Sequence, residues 1–298
     1  MRPTFRSGRD LVTRLSAPEP LYTIELRPPR RDPLGTKSRE HWIDLYHALR
    51  RLAGEDTLVF TTDGAVGASE EESLRHLAAN LGDDADSSRV IPFLTTKHPL
   101  AYCLRFAERA WAAGHRALVV LGGDTQGAAR CVPHAVDLRR QIRARMPHLA
   151  LGGWANPYRD PRWQVDLLRR EEDTTDFILT QVVSHHELEP VRRFVGEIHQ
   201  RELKIPTLLG VFRYRSGNAR TLTTLSSFLP VPVEPLRAEF AAGADADEVC
   251  RRTLAALTEI GVDRVYLCNL LPGEALARLR SLRSPTPLRV RETRPAIL

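Results

Sequence analysis

Residues 100–121, LAYCLRFAERAWAAGHRALVVL, combine the two patterns that decide the fold. The first part, residues 100–113, carries apolar side chains at helical spacing and stops at Gly114, a residue type that commonly ends helices. Soon afterwards Ala117-Leu118-Val119-Val120-Leu121 forms a short, wholly apolar run, which is typical of a strand buried on both faces. The stretch therefore predicts a helix followed by a strand of a parallel sheet.

Seven further apolar runs of strand length recur along the chain. They are residues 22–26, 57–62, 90–95, 149–153, 177–181, 207–211 and 264–268. Most intervals between them match the length of a strand–helix unit, and helical patterns lie within them, at 41–49, after Ser69 and at 245–260. Eight such units predict an α/β fold, a (β/α)8 TIM barrel.

The main alternative is an open, doubly wound sheet. Such a sheet would carry Gly-x-Gly-x-x-Gly after its first strand, where this chain has Leu26-Arg27-Pro28-Pro29-Arg30. The barrel is therefore the favoured fold. We expect one catalytic barrel domain over 21–298, preceded by a basic, flexible lead over 1–20. The long interval after the seventh run contains the Pro-spaced segment 228–235, which predicts a loop that serves as a lid or substrate wall.

Composition excludes several classes of protein. The 298 residues are 42% hydrophobic and 27% charged, and no apolar stretch approaches the length of a membrane helix. The net charge is +6, but the arginines are spread along the whole chain, so nucleic-acid binding is not expected. A basic site for an anionic small molecule accounts for the positive charge equally well. The four cysteines form no Cys-x-x-Cys pair. We expect a cytoplasmic protein without membrane contact, and an oligomer is possible.

Glu25 is the first candidate for chemistry, because it stands inside an apolar strand just before the strand ends. Partial desolvation favours the protonated form of a carboxyl group and suits it to general-acid catalysis. A structural ion pair with Arg27 is the alternative interpretation. Asp124 follows the fourth strand after two glycines, and either binds a cationic or N–H-rich ring or closes a tight turn.

Two more strands end in polar groups that could contact a heterocycle. The second ends in Thr61-Thr62-Asp63-Gly64 and the sixth in Thr180-Gln181. His185-His186-Glu187 could indicate a metal site, but the sequence shows no third ligand at a suitable spacing. We therefore expect this segment to face solvent, or at most substrate, and predict no metal ion.

As an ordered set, these strand ends resemble the methylenetetrahydrofolate reductase family. Residues 24–29 are similar to the family's Phe-Glu-Phe-(Phe/Ser)-Pro-Pro segment, residues 60–65 to Val-Thr-Tyr-Gly-Ala, and residues 92–95 to Pro-His-Leu-Thr. Further along the chain, residues 121–124 are similar to Leu-Arg-Gly-Asp, residues 179–181 to Ile-Thr-Gln, and residues 209–211 to Pro-Gly-Ile. The match runs from about residue 21 to 270. No single motif is strong, and the specificity comes from their order.

The resemblance implies a barrel that reduces 5,10-methylenetetrahydrofolate to 5-methyltetrahydrofolate. It assigns Glu25 as the general acid, Asp124 as the residue that stabilises a cationic iminium intermediate, and Gln181 as a folate-positioning residue. Thr62 and Thr180 are the further substrate-binding candidates. A carboxylate beside the developing positive charge, in a pocket poor in water, agrees with these roles.

The departures from the family concern its FAD contacts. Asp63 stands where the family has Tyr, Phe93 where it has His, and Gly122 where it has Arg, and residues 154–159 differ from the family's Tyr-Pro-Glu-x-His-Pro segment. A Lys of the family corresponds to Arg170. Loss of a cation and a hydrogen-bonding side chain weakens FAD binding.

The resemblance is therefore to a flavin-independent branch, in which NADH or NADPH transfers hydride directly and FAD is absent. Phe93 and Trp154 are candidate walls for the nicotinamide ring, with Gly122 beside it. Arg27, together with the neighbouring arginines 30 and 31, is a candidate contact for the diphosphate or for the glutamate tail of folate. The alternatives are an FAD enzyme with rewired contacts, a non-catalytic folate-binding barrel and, more distantly, a deazaflavin-dependent reductase.

Overall fold

Eight parallel strands pair in chain order and close into a barrel, β1 against β8, in the computed structural model. The structure describes residues 4–28, 36–62, 86–122 and 130–283. The strands are β1 (Leu21–Leu26), β2 (Val59–Thr61), β3 (Val90–Thr95), β4 (Ala117–Leu121), β5 (Ala150–Ala155), β6 (Phe177–Val183), β7 (Thr207–Phe212) and β8 (Arg264–Cys268). The predicted (β/α)8 fold is confirmed.

Helices alternate with these strands. They are α1 (Gly8–Ser16), α2 (Thr36–Gly54), α3 (Leu100–Ala112), α4 (Ala135–Arg145), α5 (Pro161–Arg170), α6 (Leu188–Gln200), α7 (Ala219–Ser226), α8 (Val233–Ala241), α9 (Ala246–Glu259) and α10 (Ala275–Arg283). Short 3-10 turns at Ser87–Arg89, His185–Glu187 and Pro272–Glu274 precede β3, α6 and α10. In the described parts of the chain, none of the helices has the length and apolar character that crossing a membrane requires. The helix predicted after Ser69 lies outside the described residues.

The predicted helix ends are present. Gly114 and Gly261 follow α3 and α9 with φ of 93° and 81°, a left-handed conformation that favours glycine. The side chain of Asp245 caps α9 by accepting hydrogen bonds from the backbone N–H groups of residues 247 and 248. Both ends are set by local sequence, which explains why the pattern predicted them.

Aromatic side chains fill the interior of the barrel. The ring of Phe60 lies 6.1–6.4 Å, between centroids, from those of Phe93, Phe177 and Tyr266. Gly152 makes this packing possible, because a Cβ atom there would lie 2.5 Å from the Phe177 ring. The interior is therefore a packed core, and ligands must bind at its carboxyl-terminal mouth.

The N-terminal segment is not a flexible lead, so that prediction is wrong for the described residues. Residues 8–16 form α1, which begins with a reciprocal capping box between Ser7 and Asp10. Leu11 and Leu15 are completely buried and join the cluster that fills the barrel. The backbone N–H of Gly8 donates to the carbonyl of residue 148, just before β5. The helix therefore covers the amino-terminal end of the barrel.

The segment after β7 is only partly the predicted loop. Residues 228–232 form no helix, but Val233, Glu234 and Pro235 make up the first turn of α8. Proline is tolerated there because the first-turn N–H groups have no partner within the helix. Two helices, α7 and α8, thus extend the carboxyl-terminal side of the barrel.

Candidate active site

Glu25 occupies the end of β1 and is 8% exposed. Its carboxylate accepts a hydrogen bond from the Cys268 thiol, with 3.4 Å between Sγ and Oε2. The Nε atom of Arg27 lies 3.6 Å from the other carboxylate oxygen, and its side chain is 56% exposed. Glu25 thus contacts a buried thiol and also forms the ion pair with Arg27 that the alternative interpretation predicted.

Cys268 is a fixed hydrogen-bond donor at neutral pH. Burial, followed by the nearby Glu25 carboxylate, raises the pKa of the Cys268 thiol well above its ordinary value. The thiol therefore stays protonated, and its S–H group is available to Glu25. Sequence reasoning missed this residue, although it stands at the end of the predicted eighth strand.

Phe93 lies deeper than predicted. Only 5% of it is exposed, because its ring packs against Phe60 in the barrel interior. Trp154, at the end of β5, is 36% exposed. Of the two predicted walls for a nicotinamide ring, Trp154 therefore offers an accessible surface, whereas Phe93 belongs to the floor under the mouth.

The two polar residues that end the predicted sixth strand have different surroundings. Thr180 is fully buried; its hydroxyl donates to the Gln181 carbonyl and accepts from the Gly210 N–H. Its own carbonyl accepts a hydrogen bond from the Tyr266 hydroxyl. The polar groups of Thr180 are thus engaged inside the barrel wall, and its role in substrate binding stays a prediction.

Gln181 is half-buried at an irregularity in the β6–β7 pairing. Its side-chain oxygen accepts a hydrogen bond from the backbone N–H of Val182 at 2.9 Å. The amide nitrogen points away from this bond and is the group that a ligand can contact. The hydroxyl of Thr62 is buried and has no hydrogen-bond partner among residues 4–28, 36–62, 86–122 and 130–283. Both residues remain candidates for substrate binding.

Arg130 lies over Gly122, at the end of β4. A Cβ atom on Gly122 would be 3.3 Å from a guanidinium nitrogen of Arg130, so this side chain fills the space above the glycine. The carbonyl of Gly122 accepts a hydrogen bond from Thr96. Sequence reasoning missed Arg130, since the departure at residue 122 indicated only that a cation was lost.

Several predicted residues are not brought to the mouth or are not described. Asp124, Asp63 and the arginines at 30 and 31 lie outside the described residues. Arg170 lies in the last turn of α5, which leads into β6 at the amino-terminal end of the barrel. Arg170 therefore lies away from the mouth.

His185 and His186 are half-buried and do not simply face solvent as predicted, while the alternative that they face substrate stays a prediction. Their side chains are 16% and 19% exposed, and both imidazoles approach the carboxylate of Glu239 on α8. Burial would raise the pKa of Glu239, but a hydrogen bond from Arg252 and the nearby His185 hold it below its ordinary value. Burial and the neighbouring His186 lower the pKa of His185. The adjacent histidines were visible in the sequence, but their acidic partner was not.

Comparisons with known proteins bear on the fold. No family model matches the sequence, and no curated protein matches it either. Solved structures do match. The chain is 15% identical to 2,3-dimethylmalate lyase, a PEP mutase/isocitrate lyase superfamily member, with a TM-score of 0.52 over 99% of this chain and 93% of that one.

Two more solved structures resemble it to the same extent. Oxaloacetate acetylhydrolase is 14% identical, with a TM-score of 0.53 over 96% of this chain and 93% of its own. Dihydrodipicolinate synthase from Bacillus clausii is 13% identical, with a TM-score of 0.51 over 92% of this chain and 76% of its own. At such low identity the likeness shows the barrel fold alone.

Proposed function

We propose that the protein reduces 5,10-methylenetetrahydrofolate to 5-methyltetrahydrofolate with hydride taken directly from NADH or NADPH, and that Glu25 is the general acid. The observation that carries this proposal is the position of Glu25. It is a nearly buried carboxyl at the end of a barrel strand, where active sites of this fold lie, and its charged neighbour Arg27 is on the exposed side.

The reaction begins with a proton on N10 of the folate. Glu25 donates this proton, the bond between N10 and the bridging methylene carbon breaks, and a cationic iminium forms at N5. Hydride from the nicotinamide then adds to that carbon and produces the methyl group. The buried site excludes competing water and strengthens electrostatic interactions with the iminium. Asp124, which the family resemblance assigns to the cation, retains that expected role.

Two neighbours of Glu25 orient its carboxyl group and stabilise its charged form. Cys268 donates to one carboxylate oxygen and fixes the orientation of the group. The second oxygen lies 3.6 Å from Nε of Arg27. To act as the general acid, Glu25 must therefore take up a proton from solvent before each turnover.

Arginines at the ends of three strands support an anionic ligand. Arg27 follows β1, Arg130 lies over the end of β4, and Arg215 follows β7 and hydrogen-bonds Asn269 at 3.1 Å. Guanidinium groups bind phosphates and carboxylates through paired hydrogen bonds. The dinucleotide diphosphate and the glutamate tail of folate are ligands of this chemistry.

Residues of the mouth and of the floor beneath it favour direct hydride transfer over FAD. Phe93 is packed in the interior and has no hydrogen bond to offer a flavin, and Gly122 has no side chain. Trp154 presents an aromatic surface on which a nicotinamide ring can stack. Arg130 could still meet a flavin diphosphate, so the experiment must distinguish the two hydride carriers.

The test measures the visible spectrum of freshly purified protein and then NADH and NADPH oxidation on addition of 5,10-methylenetetrahydrofolate, without added flavin. We expect colourless protein that oxidises at least one of the two. The Glu25→Gln variant should lose about 100- to 10,000-fold in turnover, the usual contribution of a general acid. It should still bind folate, as measured by calorimetry.

The matched control is Glu19→Gln, which removes an exposed carboxylate just before β1. Normal turnover in this variant shows that the loss depends on position. Yellow protein that needs its flavin would contradict direct hydride transfer. Normal turnover of Glu25→Gln would contradict the general-acid role, and folate binding without any turnover would indicate a non-catalytic binder.

A further inference from the structure

Three potential metal ligands converge where the loop after β6 meets the helical segment after β7. His185 and His186 belong to the 3-10 turn His185–Glu187, and Glu239 belongs to α8. Nε2 of His185 lies 3.3 Å from one carboxylate oxygen of Glu239, and Nε2 of His186 lies 2.9 Å from the other. One ligand atom from each residue falls within 4.8 Å of the others.

The two distances between the histidines and Glu239 are close to those between ligands of a filled metal site. Ligands about 2.0–2.2 Å from a tetrahedral Zn²⁺ lie about 3.3 Å from one another. The two imidazole rings lie with their centroids 4.0 Å apart, and the Nε2 atom of each approaches the carboxylate. A small change in side-chain torsion angles is therefore enough to bring all three atoms onto one ion.

The orientation of His185 also favours a cation. Its Nδ1 atom lies 2.8 Å from the hydroxyl of Thr253, which itself lies 3.4 Å from the carbonyl of Val249 and is placed to donate to it. With that donation the hydroxyl accepts from Nδ1–H, and the neutral ring presents its Nε2 lone pair to Glu239. Two facing lone pairs repel unless a proton or a metal ion lies between them. Metal-binding histidines commonly donate their other N–H to such a partner.

The charges around the cluster are consistent with a divalent ion. Arg252 hydrogen-bonds both Glu239 and Glu248, so its single positive charge is shared between two carboxylates. With both imidazoles neutral, the two carboxylates of Glu239 and Glu248 and the guanidinium group of Arg252 leave the cluster with one net negative charge. Protonating both histidines would instead place two positive charges on rings that are in contact.

We propose that His185, His186 and Glu239 bind a divalent transition-metal ion, with Zn²⁺ the best match to two imidazoles and one carboxylate. Glu239 uses the oxygen that faces His186, while Arg252 remains hydrogen-bonded to the other. The ion joins α8 to the loop after β6, and its fourth position is open to water. This site is separate from Glu25 and does not rest on the proposed reductase activity.

The test uses the full, untagged chain after dialysis against a chelator, with Co²⁺ as the probe, because its visible absorption bands report coordination number. We expect one Co²⁺ per chain, with the intense bands of a four- or five-coordinate site, displaced by one Zn²⁺. His186→Ala and Glu239→Gln should bind at least tenfold more weakly. The control is His199→Ala, an exposed histidine at the end of α6, which should bind as the unchanged protein does.

A second measurement needs no variant. Zn²⁺ should protect His185 and His186, but not His199, from acylation by diethylpyrocarbonate, as mapped by mass spectrometry. Weak, six-coordinate Co²⁺ spectra from the unchanged protein would overturn the proposal. Undiminished binding in folded His186→Ala and Glu239→Gln would also overturn it, as would the absence of protection at this histidine pair.

Discussion

At the scale of single residues, the neighbours of a side chain decide what it can do. Thr180 and Gln181 are adjacent in the sequence, yet the hydroxyl of Thr180 is consumed within the barrel wall while the amide nitrogen of Gln181 can be directed to a ligand. Gly122 provides no cation, but Arg130 lies over it. Polar residues at strand ends are therefore candidates whose roles depend on contacts that are distant in the sequence.

His115 is a residue whose burial gives the stability of the protein a pH dependence. It is fully buried, with Nδ1 2.8 Å and 3.1 Å from the carbonyl oxygens of Val90 and Ser87. Burial lowers its pKa to about 4, against the opposing effect of these carbonyls. Because the unfolded chain binds the proton more tightly, the folded state loses stability as pH falls from about 6.5 towards 4.

We expect this effect to reach about 3 kcal/mol at the acidic end of that range, since each pKa unit corresponds to about 1.4 kcal/mol. In His115→Gln, the free-energy cost of the substitution should therefore shrink as pH is lowered from 7 to 4.5. Urea unfolding at several pH values measures it. A free-energy cost that stays constant with pH would contradict the prediction. The control is His148→Gln at an exposed position, where the free energy of unfolding should differ little from that of the unchanged protein.

At the scale of elements, α1 shows that a short terminal segment can belong to the core. Its two leucines, Leu11 and Leu15, are one helical turn apart and point to the same side. The guanidinium group of Arg264 on β8 hydrogen-bonds the carbonyls of Leu15 and Ala17. These contacts connect the beginning of the chain to its last strand and close the lower end of the barrel.

Leu15→Ala should lower the free energy of unfolding by about 2–5 kcal/mol, the usual cost of a cavity left by a buried leucine. A flexible lead would give almost no change. Chemical denaturation of the variant distinguishes the two cases. Thr13→Ala on the exposed side of the same helix is the matched control, and we expect a change within about 0.5 kcal/mol.

At the scale of the whole molecule, the closed barrel depends on how its interior is filled. Large rings at Phe177 and Tyr266 require small residues at the positions paired with them on the neighbouring strands, and Gly152 and Gly210 provide them. This complementarity leaves no room for a ligand in the lower barrel. The proposed reaction is therefore expected at the mouth, where Glu25 and the strand-end arginines lie.

Gly152→Ala should destabilise the protein by about 1–3 kcal/mol, because its methyl group would lie 2.5 Å from the Phe177 ring and force it to move. The control is Gly196→Ala in α6, whose methyl group would have no atom within 4 Å. We expect that variant to be up to about 1 kcal/mol more stable, since alanine favours a helix. Thermal unfolding measures both, and equal effects would contradict the packing argument.

The sequence alone determined the architecture. The apolar runs at 90–95, 117–121 and 264–268 coincide with β3, β4 and β8, and the glycines after α3 and α9 adopt the left-handed conformation. Such signals are local, because they depend on periodicity and on backbone preferences within a few residues. Glu25 could be selected for the same reason, as a carboxyl group inside an apolar run.

Only the tertiary structure decided which side chains meet. His186 and Glu239 are 53 residues apart, and Glu25 and Cys268 are separated by 243. No local pattern links such pairs, because their approach depends on barrel closure and on helix packing over the mouth. The same holds for α1, because its leucines stabilise the fold by packing against residues of strands that come later in the chain. Hydrophobic burial and long-range contacts, rather than propensity, therefore determined these features.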